Sequence, residues 1–225
     1  MARQANMRGA ILEAAETLFA ERGFGGVSLR EIARTAGANA GSLVYHFGDK
    51  AALLREIYAA RAAAMNARRM DLLREARRTP DPQARIEAIL RAYVVPAFAG
   101  PEAGGGGARF TRMRAVLSAE GNAEAAAIIA ETFDATSHAF IDALHDCVPD
   151  ASREAVVWRS QFLLGSLYYT LVNPDRLARL SGGAIDATDR EAAIDAIVSA
   201  TADAVRGAAR PTGATRRPLR EELSA

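Results

Sequence analysis

The sequence predicts an all-α protein, and three observations lead to this fold class. Half of the 225 residues are hydrophobic, so the chain can bury a sizeable core. Alanine is the commonest residue, and together with arginine, glutamate and leucine it favours helix wherever packing does not decide. No segment shows the sustained alternation of Val, Ile and Thr that a sheet requires.

Cysteine content and hydrophobicity limit the compartment and the class of protein that the sequence fits. Cys147 is the single cysteine, so no intramolecular disulfide can form, and a reducing compartment fits. The longest run without a charged residue, 160–174, has 15 residues, fewer than the roughly 20 that cross a bilayer. Glu13 and Glu16 interrupt the apolar positions near the N-terminus, which is unlike a signal peptide. We therefore expect a soluble cytoplasmic protein without a membrane partner.

Charge is distributed unevenly, although the net charge is only +1. Residues 1–78 carry 13 basic and 8 acidic side chains, residues 79–205 carry 10 and 17, and residues 206–225 carry 5 and 2. A basic front and an acidic body indicate two modules with different partners. Drift in surface composition is an equally good explanation of the charge alone.

The front of the chain divides into short helices. Apolar residues within 11–19 recur at helical spacing and predict a first helix, which Gly23 ends as a left-handed residue. Ser28 and Glu31 form an S-x-x-E capping box, which predicts a second helix that stops at Gly37. Two short helices joined by a tight glycine turn outline a helix-turn-helix, provided that a third helix follows.

The third helix is expected over residues 40–47, with Asn39 as its cap. Its first turn is Ala40, Gly41 and Ser42, which offer almost no side chain to a core. In a helix-turn-helix this turn approaches the major groove of DNA. A helix–helix contact that needs small residues is the alternative interpretation.

Lys50 is the only lysine, since the other 27 basic residues are arginine. Gly48 is expected to end the third helix, and Asp49 can cap a fourth that begins at Lys50. A cation in the first turn faces the positive end of the helix dipole, which costs a few tenths of a kcal/mol. Because free N–H groups and an ammonium together bind phosphate, we interpret Lys50 as a phosphate contact. A solvated surface lysine is the alternative.

Residues 7–54, MRGAILEAAETLFAERGFGGVSLREIARTAGANAGSLVYHFGDKAALL, resemble the N-terminal domain of the TetR family of transcriptional regulators. The resemblance implies that DNA contacts come from the recognition helix and its flanks, with Ser28, Arg30 and Lys50 on phosphates. The full set of implied DNA-contacting residues is Ser28, Arg30, Asn39, Ala40, Gly41, Ser42, Tyr45, His46 and Lys50. It also implies core positions at Ile32, Ala33, Leu43 and Phe47.

Two positions depart from the family pattern. Val44 stands where many relatives carry an aromatic residue, and it belongs to the core if its side chain points inward. Ala40 stands where a larger polar residue is common, which leaves few side chains for direct readout of bases. We therefore expect specificity to depend on Asn39, Ser42, Tyr45 and the shape of the DNA.

The rest of the chain predicts a helical rear module. The fourth helix is expected to reach about Arg78, and Asp81 with Pro82 begins a fifth. PEAGGGGAR, residues 101–109, lacks the ending of a phosphate loop and follows no strand, so we interpret it as a flexible connector. Further helices are expected near 110–119, 123–147, 152–173 and 191–205, and residues 208–225 are expected to be disordered.

One of these helices carries a polar stripe that could bind a metal ion. Its members, at spacings of three and four, are Glu131, Asp134, His138, Asp142 and His145. The opposite face of the helix is apolar, so the solvated face of an amphipathic helix explains both stripes. We interpret it in that way and expect no metal and no other cofactor.

Two sets of apolar residues in the rear module are expected to have functions. Helix 152–173 is apolar on two faces, and the family resemblance implies dimerisation through the last two long helices. The expected dimer interface is Phe162, Gly165, Ser166, Tyr169, Val172 and Ile197. The expected effector pocket is Tyr93, Phe98, Phe110, Met113, Leu117 and Phe133, although all six also fit an ordinary core.

We therefore expect a sequence-specific regulator with a helix-turn-helix domain over 1–50, or about 4–64 with the start of the connecting helix. A helical effector-binding and dimerisation domain is expected over 51–207. The preferred interpretation is a homodimeric repressor that a small apolar or amphipathic ligand releases from a palindromic operator in double-stranded DNA. The alternatives are an activator without a ligand, and a helical enzyme or small-molecule carrier whose front module only packs. We expect no enzyme, because three histidines and no recognisable catalytic set offer little general-base capacity.

Overall fold

A computed structural model describes residues 2–100, 107–186 and 188–208, which form ten α-helices and no strand. The all-α prediction is confirmed. Residues 101–106 of the expected connector and 209–225 of the expected disordered tail lie outside the described residues. The helices are α1 (Ala2–Arg22), α2 (Leu29–Thr35), α3 (Ala40–Phe47), α4 (Lys50–Ala76), α5 (Pro82–Phe98), α6 (Gly107–Glu120), α7 (Ala123–His145), α8 (Arg153–Val172), α9 (Pro174–Leu180) and α10 (Arg190–Gly207).

Local sequence signals set the ends of the front helices as expected. The Ser28 hydroxyl accepts from the Glu31 N–H at 3.2 Å, and the Asn39 side chain accepts from the N–H of Gly41 at 2.8 Å. Asp49 caps α4 by accepting from the Ala52 N–H at 2.7 Å. These caps satisfy N–H groups that have no partner inside their own helix. The predicted caps of α2, α3 and α4 are therefore confirmed.

The rear helices differ from expectation at their ends and in one addition. Helix α4 ends at Ala76 and α7 at His145, two residues short of the predicted ends. Helix α9, with seven residues, was not predicted. Proline at a first helical position is common, and Pro174 begins a new short helix there after Asn173 ends α8. Within the described residues, no helix combines the length and the apolar composition that a membrane span requires.

The buried side chains form two clusters, and the first one joins the two predicted modules. It contains apolar residues of α1 to α4, including Phe19, Leu43 and Phe47, together with Phe110 of α6 and Phe133 of α7. The second cluster lies between the C-terminal part of α4 and α5, α7, α8 and α10. Helices α1 and α6 pack side by side along this shared core. The front helices are therefore fixed directly against the rear ones, and the division of the chain at residue 50 stays a prediction.

Candidate nucleic-acid interface and ligand cavity

The outer face of α3 is exposed because two residues fix the inner face. Leu43 and Phe47 are buried at 0% and 5% exposure, which turns the intervening side chains outward. Tyr45 is 85% exposed, and its ring meets that of His46 edge-on with centroids 5.3 Å apart. Val44 is also exposed, at 50%. The result is a helix face with a small first turn and aromatic groups after it, open to solvent.

Lys50 is bound to the loop that precedes α2. Its ammonium donates to the carbonyl oxygens of Phe24 at 2.6 Å and Val27 at 2.9 Å. It also lies 4.4 Å from the centroid of the Phe24 ring, within the range of a cation–π interaction. Two of its three N–H groups are therefore occupied by residues 24–27, which we call the 24–27 loop. The contact of Lys50 with a DNA phosphate stays a prediction.

Glu120, the last residue of α6, binds the same loop from the other side. Its carboxylate accepts from the backbone N–H of Phe24 at 2.5 Å and of Gly25 at 2.6 Å. A Cβ added at Gly25 would lie only 2.7 Å from the carboxylate oxygen, so a larger residue there would force the Glu120 carboxylate to shift. The 24–27 loop is thus held at its carbonyls by α4 and at its amides by α6.

A buried ion-pair cluster makes a second connection among the same helices. Glu16 of α1 is fully buried, and its two carboxylate oxygens accept from Arg61 of α4 and Arg109 of α6, each at 3.0 Å. A buried carboxylate persists only when it is paired and hydrogen-bonded, and here it has two cationic partners. Helices α4 and α6 therefore each contact the front helices at two separate places.

A cavity of about 980 Å³ lies between α5, α6, α7 and α8. Buried residues such as Leu90, Arg114 and Leu163 line its inner part. Asp134 and His138, two members of the polar stripe on α7, line it where it reaches solvent. The walls are mostly apolar, with a few polar side chains. This is the composition of small-molecule sites in helical proteins.

Two guanidinium groups are buried beside this cavity and stack on aromatic rings. Arg114 is 5% exposed, and its guanidinium carbon lies 3.7 Å from the centroid of Phe133. Arg69 is 1% exposed, with its guanidinium carbon 4.0 Å from the centroid of Tyr93. The Nε of Arg69 also donates to the Tyr93 carbonyl at 3.0 Å. Arg114 lines the cavity, and Arg69 lies behind the wall.

Neither buried arginine has an acidic partner among the residues that the structure describes. In that part of the chain, the Nε of Arg114 and one terminal nitrogen of Arg69 have no hydrogen-bond partner at all. Burial of an ion costs several kcal/mol even after relaxation, and a desolvated cation–π contact returns about 2 kcal/mol. The aromatic rings therefore compensate only part of this cost, unlike the doubly paired Glu16.

The pKa values of two neighbouring phenols shift in opposite directions, because burial and the unpaired positive charge oppose each other. Burial raises the pKa of Tyr168 to about 12. Burial acts in the same direction on Tyr93, but the guanidinium groups of Arg69 and Arg114 outweigh it and hold the pKa of Tyr93 below its ordinary value. Positive potential is therefore concentrated where Arg114 and Tyr93 meet at the cavity wall.

Helix α8 exposes three aromatic side chains, of which Tyr169 also lines the outer part of the cavity. Trp158 is 59% exposed and Phe162 58%, with ring centroids 5.8 Å apart, and Tyr169 is 57% exposed. Residues 158, 162, 165 and 169 share one stripe of the helix. Single exposed apolar residues are ordinary, but a row of three aromatic groups on one helix marks an interaction surface.

Comparisons with known proteins agree on one family. The family described as "Bacterial regulatory proteins, tetR family" matches residues 11–57, and the "Tetracyclin repressor-like, C-terminal domain" matches residues 91–203, half of the chain. The chain belongs to the TetR family of transcriptional regulators. It is accordingly a DNA-binding transcriptional regulator, with the helix-turn-helix in α2 and α3.

Solved structures share the TetR fold at low sequence identity. A TetR-family regulator from Bordetella parapertussis is 20% identical with a TM-score of 0.60, covering 89% of this chain and 94% of that one. The fatty acid degradation regulator FadR from Bacillus halodurans is 15% identical with a TM-score of 0.58, covering 91% and 96%. The regulator PfmR from Thermus thermophilus is 20% identical with a TM-score of 0.52, covering 89% and 99%. No protein with a curated description matches the chain.

Most of the residues predicted to contact DNA are exposed, and their role in DNA binding stays a prediction. Seven of the nine are exposed, namely Ser28, Arg30, Asn39, Gly41, Ser42, Tyr45 and His46, and Ala40 and Lys50 are half-buried. Val44 lies on the same exposed face, so the expectation of a core position for an inward Val44 does not apply. Arg34 of α2, with 81% of its side chain exposed, adds a basic group that the sequence reading passed over.

The predicted pocket and dimer residues are only partly brought together. Of the six pocket residues, Tyr93 lines the cavity, whereas Phe98, Phe110, Met113, Leu117 and Phe133 lie in the buried clusters. Ile197 is 7% exposed and packs in the second cluster, away from the exposed face of α8. The sequence reading missed Arg114, whose signal is a charged residue inside the apolar stretch of α6. It also missed Trp158.

Proposed function

We propose that the protein is a homodimeric repressor that a small amphipathic ligand releases from a palindromic operator. The position of α6 carries this proposal. Residues 114–116, 118 and 119 of α6 line the cavity, and Glu120 at its end binds the 24–27 loop. A ligand in the cavity therefore contacts the helix that helps to orient the helix-turn-helix.

The exposed face of α3 is the proposed reader of the major groove. The small first turn lets the backbone approach the bases, and Tyr45 and Val44 are exposed just after it. Arg30 and Arg34 of α2 are exposed beside this face and supply positive charge for phosphates. Contacts to phosphates fix the register of the protein on DNA, and contacts to base edges select the sequence.

The aromatic row on α8 is the proposed dimer surface. Helix α8 packs against α10, whose outward residues Ala196 and Ala200 are small and exposed. Two such helix pairs can pack across a two-fold axis and bury Trp158 and Phe162. A two-fold dimer also presents two recognition helices to half-sites about 34 Å apart, which explains the choice of a palindromic operator.

Release requires that the ligand prefers a state in which the recognition helices are wrongly placed. Its effect on operator affinity is limited to the difference between its affinities for the two states. The contacts of α6 with the 24–27 loop and with Glu16 are the proposed path by which a change at the cavity reaches α2 and α3. Both are discrete polar contacts, which a small displacement of α6 can break.

The proposal is tested by retaining genomic DNA fragments on the immobilised protein and sequencing them. We expect a small set of fragments whose footprints have two-fold symmetry. Tyr45→Ala should remove the selection, whereas Glu131→Gln, at an exposed position of α7, should leave it unchanged. If the retained fragments share no sequence, or if their footprints lack two-fold symmetry, the proposed dimeric regulator is contradicted. A reporter gene behind the recovered site then separates repression from activation.

A further inference from the structure

We infer that the cavity between α5, α6, α7 and α8 binds an organic carboxylate, with its anionic end on the Arg114 guanidinium and an apolar body along α5, α7 and α8. This rests on the proposed function, since it names the chemical class of the effector. The site is defined by Arg114 and Tyr93 at the polar end and by Leu90, Leu163 and Leu164 along the walls.

The motive is a buried cation at the cavity wall that has no acidic partner among the described residues. Arg114 is 5% exposed, lines the cavity, and has an Nε without a hydrogen-bond partner in the described part of the chain. The buried carboxylate of Glu16, by contrast, is paired with two arginines. Arg114, unlike Arg69, lines the cavity, so an entering ligand can supply the opposite charge there.

The cavity selects a carboxylate with an apolar body over a larger anion. One guanidinium faces the cavity, and its planar fork matches one carboxylate. Arg69 lies behind the wall, adding positive potential without adding a donor that the ligand can reach. Towards solvent the lining includes the carboxylate of Asp134, which disfavours a ligand with further negative charge.

The two buried arginines also lie on the two helices that hold the 24–27 loop. Arg114 precedes Glu120 by six residues on α6, a rise of about 9 Å. Arg69 follows Lys50 by nineteen residues on α4, a rise of about 28 Å. An anion that neutralises this pair of like charges therefore acts on both helices at once. The charge of the ligand, and not only its volume, can therefore affect the helices that hold the DNA-binding unit.

The test is calorimetric titration with matched probes that share one alkyl chain. Decanoate is compared with methyl decanoate, decan-1-ol and decyl phosphate, on wild type, Arg114→Met and the control Arg112→Met. Arg112 is exposed on the same helix, two residues earlier. We expect wild type and Arg112→Met to bind decanoate more tightly than its ester and alcohol. Arg114→Met should lose about ten- to a hundredfold in decanoate affinity and bind the ester as before.

Thermal unfolding without ligand separates this role from a structural one. Replacing a buried unpaired ion by an apolar side chain of similar size is neutral or stabilising. We therefore expect the Tm of Arg114→Met to equal or exceed that of wild type, and decanoate to raise the Tm of wild type only. A fall in the Tm of Arg114→Met with unchanged decanoate binding overturns the inference, because the arginine would then serve only the core.

Further outcomes also overturn it. One is equal affinity for the acid and its ester, and another is tighter binding of decyl phosphate than of decanoate. A third is that no straight-chain acid from hexanoate to hexadecanoate, and not benzoate either, binds at millimolar concentration.

Release of the operator is measured separately. If decanoate binds through Arg114 and operator affinity is unchanged, the site stands and the proposed release fails. If only neutral compounds bind the cavity and release DNA, the proposed release of the operator is supported and the inference of a carboxylate ligand is wrong.

Discussion

At the scale of single residues, Lys50 is the point where two roles meet. Its ammonium holds the 24–27 loop through two carbonyls, and we propose that it also binds a DNA phosphate. We expect Lys50→Met to lower the free energy of unfolding by about 1 to 2 kcal/mol, because two charge-assisted hydrogen bonds are lost at a half-buried site. It should also reduce the salt dependence of DNA binding by about one phosphate contact, equally for specific and unrelated DNA.

Arg30→Met is the matched control for the DNA role of Lys50. Arg30 is exposed, so its loss should reduce the salt slope without a comparable loss of stability. Denaturant unfolding and DNA titrations at several salt concentrations measure both quantities. If Lys50→Met destabilises the protein but leaves the salt slope as it is in wild type, the phosphate assignment of Lys50 is wrong.

Tyr93 reports the unpaired positive charge at the cavity. Because the guanidinium groups of Arg69 and Arg114 stabilise its phenolate, its pKa lies below the ordinary tyrosine value, whereas burial raises that of Tyr168 to about 12. An alkaline titration followed by tyrosinate absorbance should therefore lose its earliest component in Tyr93→Phe. Arg114→Met should move that component to higher pH, since one stabilising cation is gone. An early component that survives in Tyr93→Phe contradicts this assignment.

The residues that sequence reading identified best are those with local causes. Caps at Ser28, Asn39 and Asp49 depend on neighbours within three positions, and all three are confirmed. The contacts of Lys50 with Phe24 and of Glu120 with Gly25 join residues far apart in the chain. Nothing in the local sequence marks such pairs. For the same reason, a large apolar residue of α6 could not be assigned to the cavity or to the core.

At the scale of elements, α6 is the helix that connects the cavity to the DNA-binding unit. We expect Glu120→Ala to accelerate hydrogen exchange at the amides of Phe24 and Gly25, because these lose their acceptor. The control is Glu124→Ala, an exposed glutamate in the first turn of α7. Exchange followed by NMR checks both variants. If the two amides exchange as slowly in Glu120→Ala as in wild type, α6 does not hold the loop.

Helix α8 shows which features of a helix can be predicted from the periodicity of its apolar residues and which cannot. Its two apolar faces were predicted, and the structure buries Val156, Leu163 and Leu167 on one while exposing Phe162 and Tyr169 on the other. Which face meets a second copy is not encoded in periodicity, because both look equally apolar. Helix α10 differs, since Ile197 was expected on the surface and is packed inside. Only the position of α10 against α5 and α8 decides this.

At the scale of the whole molecule, we propose that DNA recognition depends on a dimer. We expect Gly165→Arg to give folded monomers that no longer bind the operator. A Cβ at Gly165 meets nothing within 4 Å in the single chain, so the fold tolerates it, and Gly165 lies both in the aromatic row of α8 and at the lining of the cavity. Ala135→Arg, on an exposed position of α7, is the control and should remain dimeric. Sedimentation of wild type as a monomer at micromolar concentration would refute the dimer.

We propose that a ligand in the cavity changes the affinity for the operator through α6. The most direct test of this proposal is an anisotropy titration of a fluorescent operator duplex, with and without saturating decanoate, on wild type and Glu120→Ala. We expect decanoate to weaken operator binding by wild type about 5- to 150-fold, the usual range of allosteric coupling. In Glu120→Ala the same ligand should bind equally well and weaken operator binding much less. An operator affinity in wild type that stays the same while calorimetry shows the cavity to be filled would contradict the account.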